Sequence, residues 1–296
     1  MKIYLRKSLR YACLLLAAAA VMAGLLIVWF YGTPCNSTKD SVAKILPFPA
    51  ALVNNKPVYI KTVLDRVNSA TGASKQLTGT DLRNEILNQI IGEKETEIVA
   101  GRHDVYVTEK ELNDQFTTLR QEMSESSSTE FSALLKQYNL SENEFKNNVL
   151  KPELLLTNLQ IWFNGQASLN KRQYDIAQTI QETLKSTSSS STFASLVLKY
   201  SQDNNSEYLG GNEGFVAVNN LLPEFKRVLD GTKAGDVVVA PGRYGIYIFQ
   251  VIAKDNGGED NSPRVELQQI FLKPSDFNAW YNNQIKDIKI KIFLGS

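Results

Sequence analysis

From residue 11 to residue 31 the chain reads YACLLLAAAAVMAGLLIVWFY, a run without a charged side chain. As a helix it is long enough to cross roughly 30 Å of hydrocarbon. Lys2, Arg6, Lys7 and Arg10 precede it, so the positive-inside rule holds the amino terminus in the cytoplasm and sends the remainder of the chain outside. The expected layout is a cytoplasmic tail over 1–10 and a transmembrane signal-anchor over 11–31. That makes a single-pass membrane protein with its bulk extracytoplasmic. A cleaved signal peptide is the alternative, because Ala17 to Ala20 offer a cleavage site, although the run exceeds the usual h-region of about 7–15 residues. Trp29, Phe30 and Tyr31 fit an aromatic belt at the far interface, or equally one side of a buried helix.

With 296 residues, 43% of them apolar, the chain can bury one or two cores. Lys plus Arg number 32 against 31 Asp plus Glu, a net charge of +1. No basic excess exists to hold a phosphate backbone, so nucleic acid is not an expected partner. Cys13 and Cys35 lie about one membrane thickness apart and cannot pair within the chain. Thr33-Pro34 is a poor lead-in to lipid attachment at Cys35, which leaves both as thiols without a role. Asn36-Ser37-Thr38 matches a glycosylation acceptor, relevant only in a eukaryotic secretory pathway.

Residues 32–57 read as an extended tether, since Pro47 and Pro49 disfavour helix at the residues before them. Four helical patterns follow. Tyr59, Ile60, Val63, Leu64 and Val67 form one apolar stripe; Leu82, Ile86, Ile90 and Ile91 form a second. Thr108-Glu109-Lys110-Glu111 and Ser141-Glu142-Asn143-Glu144 are capping boxes that open two more helices. Pro152 should kink or divide the last, which resumes through Leu154, Leu155, Leu159 and Ile161. Residues 170–185 give another amphipathic helix, 186–192 a polar serine-rich loop, and 193–200 a short helix. Thereafter β-rich runs occur at 215–218, 237–239, 246–252 and 265–272, with Asp255-Asn256-Gly257-Gly258 as a turn between the last two. Ile288, Ile290 and Ile292 alternate with lysines, the pattern of a final strand with one wet face. The expected fold class is α+β, a helical domain followed by a small antiparallel sheet with helices.

Two stretches carry a family likeness. LPFPAALVNNKPVYIKTVLDRV (46–67) and RNEILNQIIGEKETEIVAGRHDVYVTEKEL (83–112) resemble the amino-terminal chaperone domain of SurA-like proteins. FASLVLKYSQDNNSEYLGGNEGF (193–215), followed by Leu221-Leu222-Pro223-Glu224-Phe225, Lys233-Ala234-Gly235-Asp236-Val237 and Arg243-Tyr244-Gly245-Ile246-Tyr247-Ile248, resembles the parvulin-type prolyl isomerase signature. A phosphate-cradling role for Gly210, Gly211 and Gly214 fails, because no Gly-Lys-Ser/Thr follows. The glycines fit instead a positive φ on entry to a strand. The resemblance implies a SurA/PrsA-like folding factor: a helical SurA-like chaperone domain over 58–165, a parvulin-like domain over 166–274, and a terminal helix and strand over 275–296.

The likeness departs from its family where chemistry matters. Parvulins carry two histidines on the first and last strands; here Tyr247 stands in the last-strand slot, and no first strand precedes the helix at 170. The run Arg264 to Lys273 has the cadence of that missing strand, with Gln269 in the histidine slot. It reads either as the first strand permuted to the carboxyl side, where it would pair antiparallel with 246–252, or as an unrelated accessory strand. By resemblance Asp203 takes the family's acidic position near the substrate carbonyl, though a turn cap after Ser201 would explain it too. Leu222 and Phe225, with Phe215, would line the proline pocket. His103, the chain's one histidine, reads as a surface residue beside Arg102 and Asp104. No metal cluster, catalytic thiol or serine-histidine-acid arrangement can be assembled, and no cofactor is expected.

Two functions stay open. In one, the protein is a prolyl cis-trans isomerase and folding factor that binds unfolded or secreted proline-containing polypeptides. In the other it is a non-catalytic holdase or adaptor whose degenerate parvulin domain only binds peptide. The empty histidine slots favour the second, while Asp203, Leu222 and Phe225 favour the first. A purely structural anchor lacks repeats or heptads to support it.

Overall fold

A computed structural model of the chain describes residues 21–22, 24–32, 37–71, 80–126, 128–187, 190–203, 209–255 and 263–294. The tail at 1–10, the first half of the expected anchor, Cys35, the turn after Asp255 and part of the serine-rich loop lie outside the described residues. Among the described residues no helix is long and apolar enough to cross a membrane. The chain forms two compact units, Met1–Glu95 with Thr118–Phe145 and Asp287–Ser296, and Thr96–Thr117 with Lys146–Lys286.

In the first unit, residues 24–32 are helical. Helix α1 (Ser37–Ile45) has Asp40 in its first turn and Lys44 in its last, charges that oppose the helix dipole. Strands β1 (Pro49–Val53) and β2 (Lys56–Tyr59) make a hairpin closed by Asn54 and Asn55. Their φ values of 46° and 65° are the left-handed pair that a two-residue hairpin turn needs. Strand β7 (Ile290–Ile292) adds to β1 antiparallel, giving the order β2-β1-β7, and Asn54 exchanges two hydrogen bonds with Lys289 at 2.9 Å.

The stretch expected as a tether is therefore largely regular structure. Pro47 and Pro49 do interrupt helix, but as a stop after α1 and as the first residue of the central strand of the small sheet. Ala50, Ala51 and Val53 are fully buried in return. The final strand also departs from expectation. Neither of its faces is covered, with Ile290 and Ile292 about half exposed and only the preceding Ile288 buried.

Helices α2 (Ile60–Thr71) and α3 (Thr80–Arg102) bury the two stripes read in the sequence, including Val63, Leu64, Ile86 and Ile90. Arg66 and Glu93 join them through a 2.6 Å ion pair. Helix α4 (Glu109–Ser126) opens where the Thr108 hydroxyl accepts from the Glu111 amide at 3.1 Å. At α6 (Glu142–Phe145) the capping box is reciprocal: the Ser141 amide donates to Glu144, whose own amide donates to the Ser141 hydroxyl. Between them lies α5 (Ser128–Gln137), for which the sequence offered no cap or stripe of its own.

In the second unit a π-helical turn (Lys146–Leu150) leads into α7 (Lys151–Gly165), with Pro152 in the opening turn, where its missing N–H costs nothing. Helices α8 (Lys171–Ser186) and α9 (Ser190–Tyr200) come next, then β3 (Asn212–Ala217), α10 (Pro223–Leu229), β4 (Val237–Gly242), β5 (Gly245–Asp255), β6 (Arg264–Leu272) and α11 (Phe277–Ile285). The antiparallel sheet has the order β3-β6-β5-β4. Strand alternation divides its side chains. Ile246, Ile248, Ile270 and Leu272 pack under α8 and α9, while Phe249, Val251, Val265 and Leu267 pack against Phe225 and Leu229 of α10.

His103 is not the plain surface residue expected. Its ring stacks on Trp162 at 4.1 Å and lies 5.5 Å from Trp280, in an aromatic box completed by Phe163 and Phe277. Burial, then the charge of Arg102, holds its imidazole below the ordinary value, against a hydrogen bond with Gln284. The residues adjacent in sequence, Arg102 and Asp104, give no hint of rings brought from α7 and α11.

One buried amide ties three segments together. Asn170, with no exposed surface, donates to the Phe163 carbonyl at 2.7 Å and accepts from the Ser275 amide at 2.9 Å. Replacing it by Ala removes both hydrogen bonds and leaves a void in their place, at a cost of about 1–3 kcal/mol. Urea denaturation of Asn170→Ala should show a lower midpoint with an unchanged slope.

Candidate functional site

The β5–β6 register places the site. Tyr247 faces Phe271, and Phe249 faces Gln269; paired residues share a face, so Tyr247 and Gln269 are diagonal neighbours on one side of the sheet. The Tyr247 ring sits among Phe225 at 4.8 Å, Phe271 at 5.0 Å and Phe249 at 5.8 Å. Burial raises its phenol above the ordinary value, and the negative charges of Asp203 and Glu224 add to this. The hydroxyl accordingly stays protonated, a donor at neutral pH.

Asp203 arrives by a different route. Strand β3 pairs with β6 only as far as Gln268. Beyond that point the segment leaving α9 takes over the strand edge: the Gln202 amide donates to the Phe271 carbonyl at 2.8 Å, and the Phe271 amide to the Ser201 hydroxyl at 3.2 Å. The Lys273 amide then donates to the Gln202 side chain at 2.7 Å. This zipper sets Asp203 close enough for its charge to act on both Tyr247 and Glu213. The turn behind it needs glycine. Gly211 has φ +78°, and a Cβ there would lie 2.5 Å from the Gln269 carbonyl oxygen and 2.7 Å from Val197.

Glu213 is the residue sequence reasoning missed. It is the extra residue of a β-bulge between Asn212 and Gly214, and bulges re-aim side chains. Its carboxylate accepts a hydrogen bond from Gln269. Burial first, then the charge of Asp203, pushes its carboxyl above the usual range, against that hydrogen bond. The signal was present in Gly-Gly-Asn-Glu-Gly, where an acid between strand-opening glycines marks a bulge.

Leu222, half-buried, packs against the same buried cluster as Tyr247. Two pocket assignments need correction. Phe225 is only 8% exposed and packs behind Tyr247, so it is a floor and not an open wall. Phe215 pairs with Glu266 on β6, which points it to the opposite face of the sheet from Tyr247 and Gln269, half exposed at the edge. The one-residue bulge at Glu213 reverses which face each later β3 residue takes. Among the described residues no group of three or more His, Cys, Asp or Glu side chains could hold a metal ion.

A small antiparallel sheet between helices, with an aromatic floor and an acidic edge, follows an α-helical amino-terminal region. Residues 1–160 match the SurA-like N-terminal domain, and residues 161–253 match the PPIC-type PPIASE domain. The chain belongs to the SurA-like N-terminal domain family and carries a parvulin-type rotamase domain after it. It is 23% identical to Chaperone SurA of Pseudomonas fluorescens over 84% of this chain and 67% of that one. Among solved structures, a SurA-like chaperone of Campylobacter jejuni is 15% identical, covering 82% of this chain and 98% of its own, with a TM-score of 0.27. Peptidylprolyl isomerase PrsA of Bacillus anthracis is 16% identical, covering 67% and 86%, with a TM-score of 0.22.

The floor is clamped from outside. Glu224 of α10, buried to 3% exposure, takes Arg243 of the β4–β5 turn through two guanidinium contacts at 3.0 and 3.2 Å. Burial opposes its ionisation, but the Arg243 hydrogen bonds and charge prevail and hold the carboxyl below its usual value. A depressed carboxylate stabilises the fold above the unfolded pKa, and that stabilisation is lost as pH falls through the folded value. Glu224→Gln should cost roughly 1.5–3 kcal/mol at pH 7. Denaturation midpoints below about pH 4 should fall less steeply in the variant than in the parent.

Proposed function

We propose that the protein is a membrane-anchored, extracytoplasmic folding factor that holds unfolded polypeptide and takes proline-bearing segments on the Tyr247–Gln269 face of its small sheet. The observation that carries this reading is the gathering of Asp203, Glu213, Gln269, Tyr247 and Leu222 on that face from separate segments of the chain. The anchor rests on the uncharged run at 11–31 and the four cations before it. The name of the relative from Pseudomonas fluorescens, Chaperone SurA, agrees with polypeptide as the ligand.

Rotation about an amide faces a barrier of about 18–20 kcal/mol, because the planar form is held by resonance. The twisted form has lost that resonance, and a site that favours it lowers the barrier. Leu222 and the Tyr247 ring supply an apolar seat for the prolyl ring. The protonated Tyr247 hydroxyl and the Gln269 amide supply donors, and the Glu213 carboxyl an acceptor, that suit either end of the amide. Strand β6 fits the family's first strand carried to the carboxyl side: it is interior to the sheet and antiparallel to β5. Isomerisation through this set should be slow beside that of a histidine pair. A second reading, holding without catalysis, is favoured by one observation: the bulky Tyr247 ring, packed on three phenylalanines, fills the slot where an imidazole would stand.

Two measurements test the proposal. Protease added to spheroplasts should degrade the bulk of the chain and leave an anchored stub; protection of residues 60–296 would reverse the orientation. In a prolyl isomerisation assay on the full chain in nanodiscs, Leu222→Ala should weaken binding of an unfolded proline-bearing chain about tenfold, some 1.4 kcal/mol. The double variant Tyr247→His with Gln269→His should raise the isomerisation rate. Binding without isomerisation in parent and double variant alike would leave the holdase, and absence of binding would sink both readings.

A further inference from the structure

The first unit gathers exposed apolar surface in one place. Before α1, Met22, Leu25 and Val28 are each about two-thirds exposed, and at the end of α1 Ile45 is 83% exposed with Leu46 beside it. Between them runs a groove of about 970 Å³, lined by Met22, Leu25, Leu26, Ile27, Trp29 and Tyr31 and by residues 46–49, none of them charged.

This surface is fixed to the body of the unit. Phe30 is buried and stacks face to face on Phe48, with ring centroids 3.9 Å apart and planes at 8°. The Tyr31 hydroxyl donates to the Pro49 carbonyl at 2.8 Å, and its ring lies 5.9 Å from Phe293. Lys39, almost wholly buried, donates to the Phe30 carbonyl and sits over the Trp29 and Phe30 rings at 5.9 and 5.4 Å. A cation at the carbonyl end of a helix is favourable there.

We propose that Ile45, Leu46 and the groove beside them enter the acyl boundary of the bilayer, so that the first unit is held against the membrane in a fixed orientation and does not swing on a tether. This rests on the anchor reading above. The occupant is lipid for two reasons. The groove's wall is continuous with an uncharged run that reaches back to residue 11. A bound peptide would also bring backbone N–H and C=O groups that a wall without charged side chains leaves largely unpaired, at a cost acyl chains avoid. Trp29, Tyr31 and Lys39 together at the end of an apolar helix are the residue types that favour the headgroup level.

The test uses the full chain with Cys13→Ser and Cys35→Ser, reconstituted in vesicles of phosphatidylethanolamine and phosphatidylglycerol. A single environment-sensitive label is placed at Leu46→Cys, or at Lys56→Cys in the hairpin as the aqueous reference. Doxyl-labelled lipid should quench the Leu46 label several-fold more than the Lys56 label, and iodide should do the reverse. Under mild oxidation Phe30→Cys with Phe48→Cys should form a disulfide. A protein that resists alkaline carbonate extraction while both labels behave alike would overturn the docking and leave the anchor standing. Shielding of Leu46 that needs added unfolded polypeptide would give the groove to a client, and shielding that grows with protein density would give it to a second copy; either overturns the proposal. Extraction by carbonate with no lipid quenching would remove the anchor and the docking together.

Discussion

The antiparallel pairing of β5 with β6 is the constraint on which the second unit depends. Its register decides which side chains go under α8 and α9 and which look the other way. A one-residue slip of β6 would send Ile270 and Leu272 to the site face and bury Gln269 under the helices. The apolar cost of that exchange pins the polar residues of the site, although none of them contributes much to the core. Polar groups are thus placed by the burial of their neighbours.

The helices and strands were largely legible because their signals are local. The caps at Thr108 and Ser141 act over three residues; the Ser141 box closes in both directions, and at Thr108 the hydroxyl half forms. Alternation in 246–252 and 265–272 needs only the strand itself. What failed was non-local. Residues 32–57 looked like a tether because two prolines were weighed without knowing that β7 would come from far along the chain to pair with β1. The rings that enclose His103 belong to helices distant in sequence, and no window around residue 103 contains them. Phe215 was misplaced by a bulge that shifts the count by one.

The site shows the same division. Asp203, Tyr247 and Gln269 were found through slots in a familiar pattern, and each lies on or beside one sheet face. Glu213 occupies no such slot; its place follows from backbone geometry at the bulge and from the company of Gln269 and Asp203. Where the resemblance leads one to expect a histidine pair, this face carries a phenol, an amide and two carboxyl groups, which offer hydrogen-bond donors and acceptors but no imidazole.

The β1–β7 pair bears on the order in which this protein can assemble. Its partners lie about 240 residues apart, and the entropy of closing so long a loop rises only as its logarithm. Closure waits less on free energy than on time. During synthesis the segment 49–59 emerges early and must present an unpaired strand edge until β7 follows it. For that interval a chain of this family would resemble an unfinished polypeptide with an exposed edge, open to the capture that edges invite. The sheet of the second unit, whose strands all lie within 212–272, closes on partners near in sequence and leaves no strand edge waiting over such a distance.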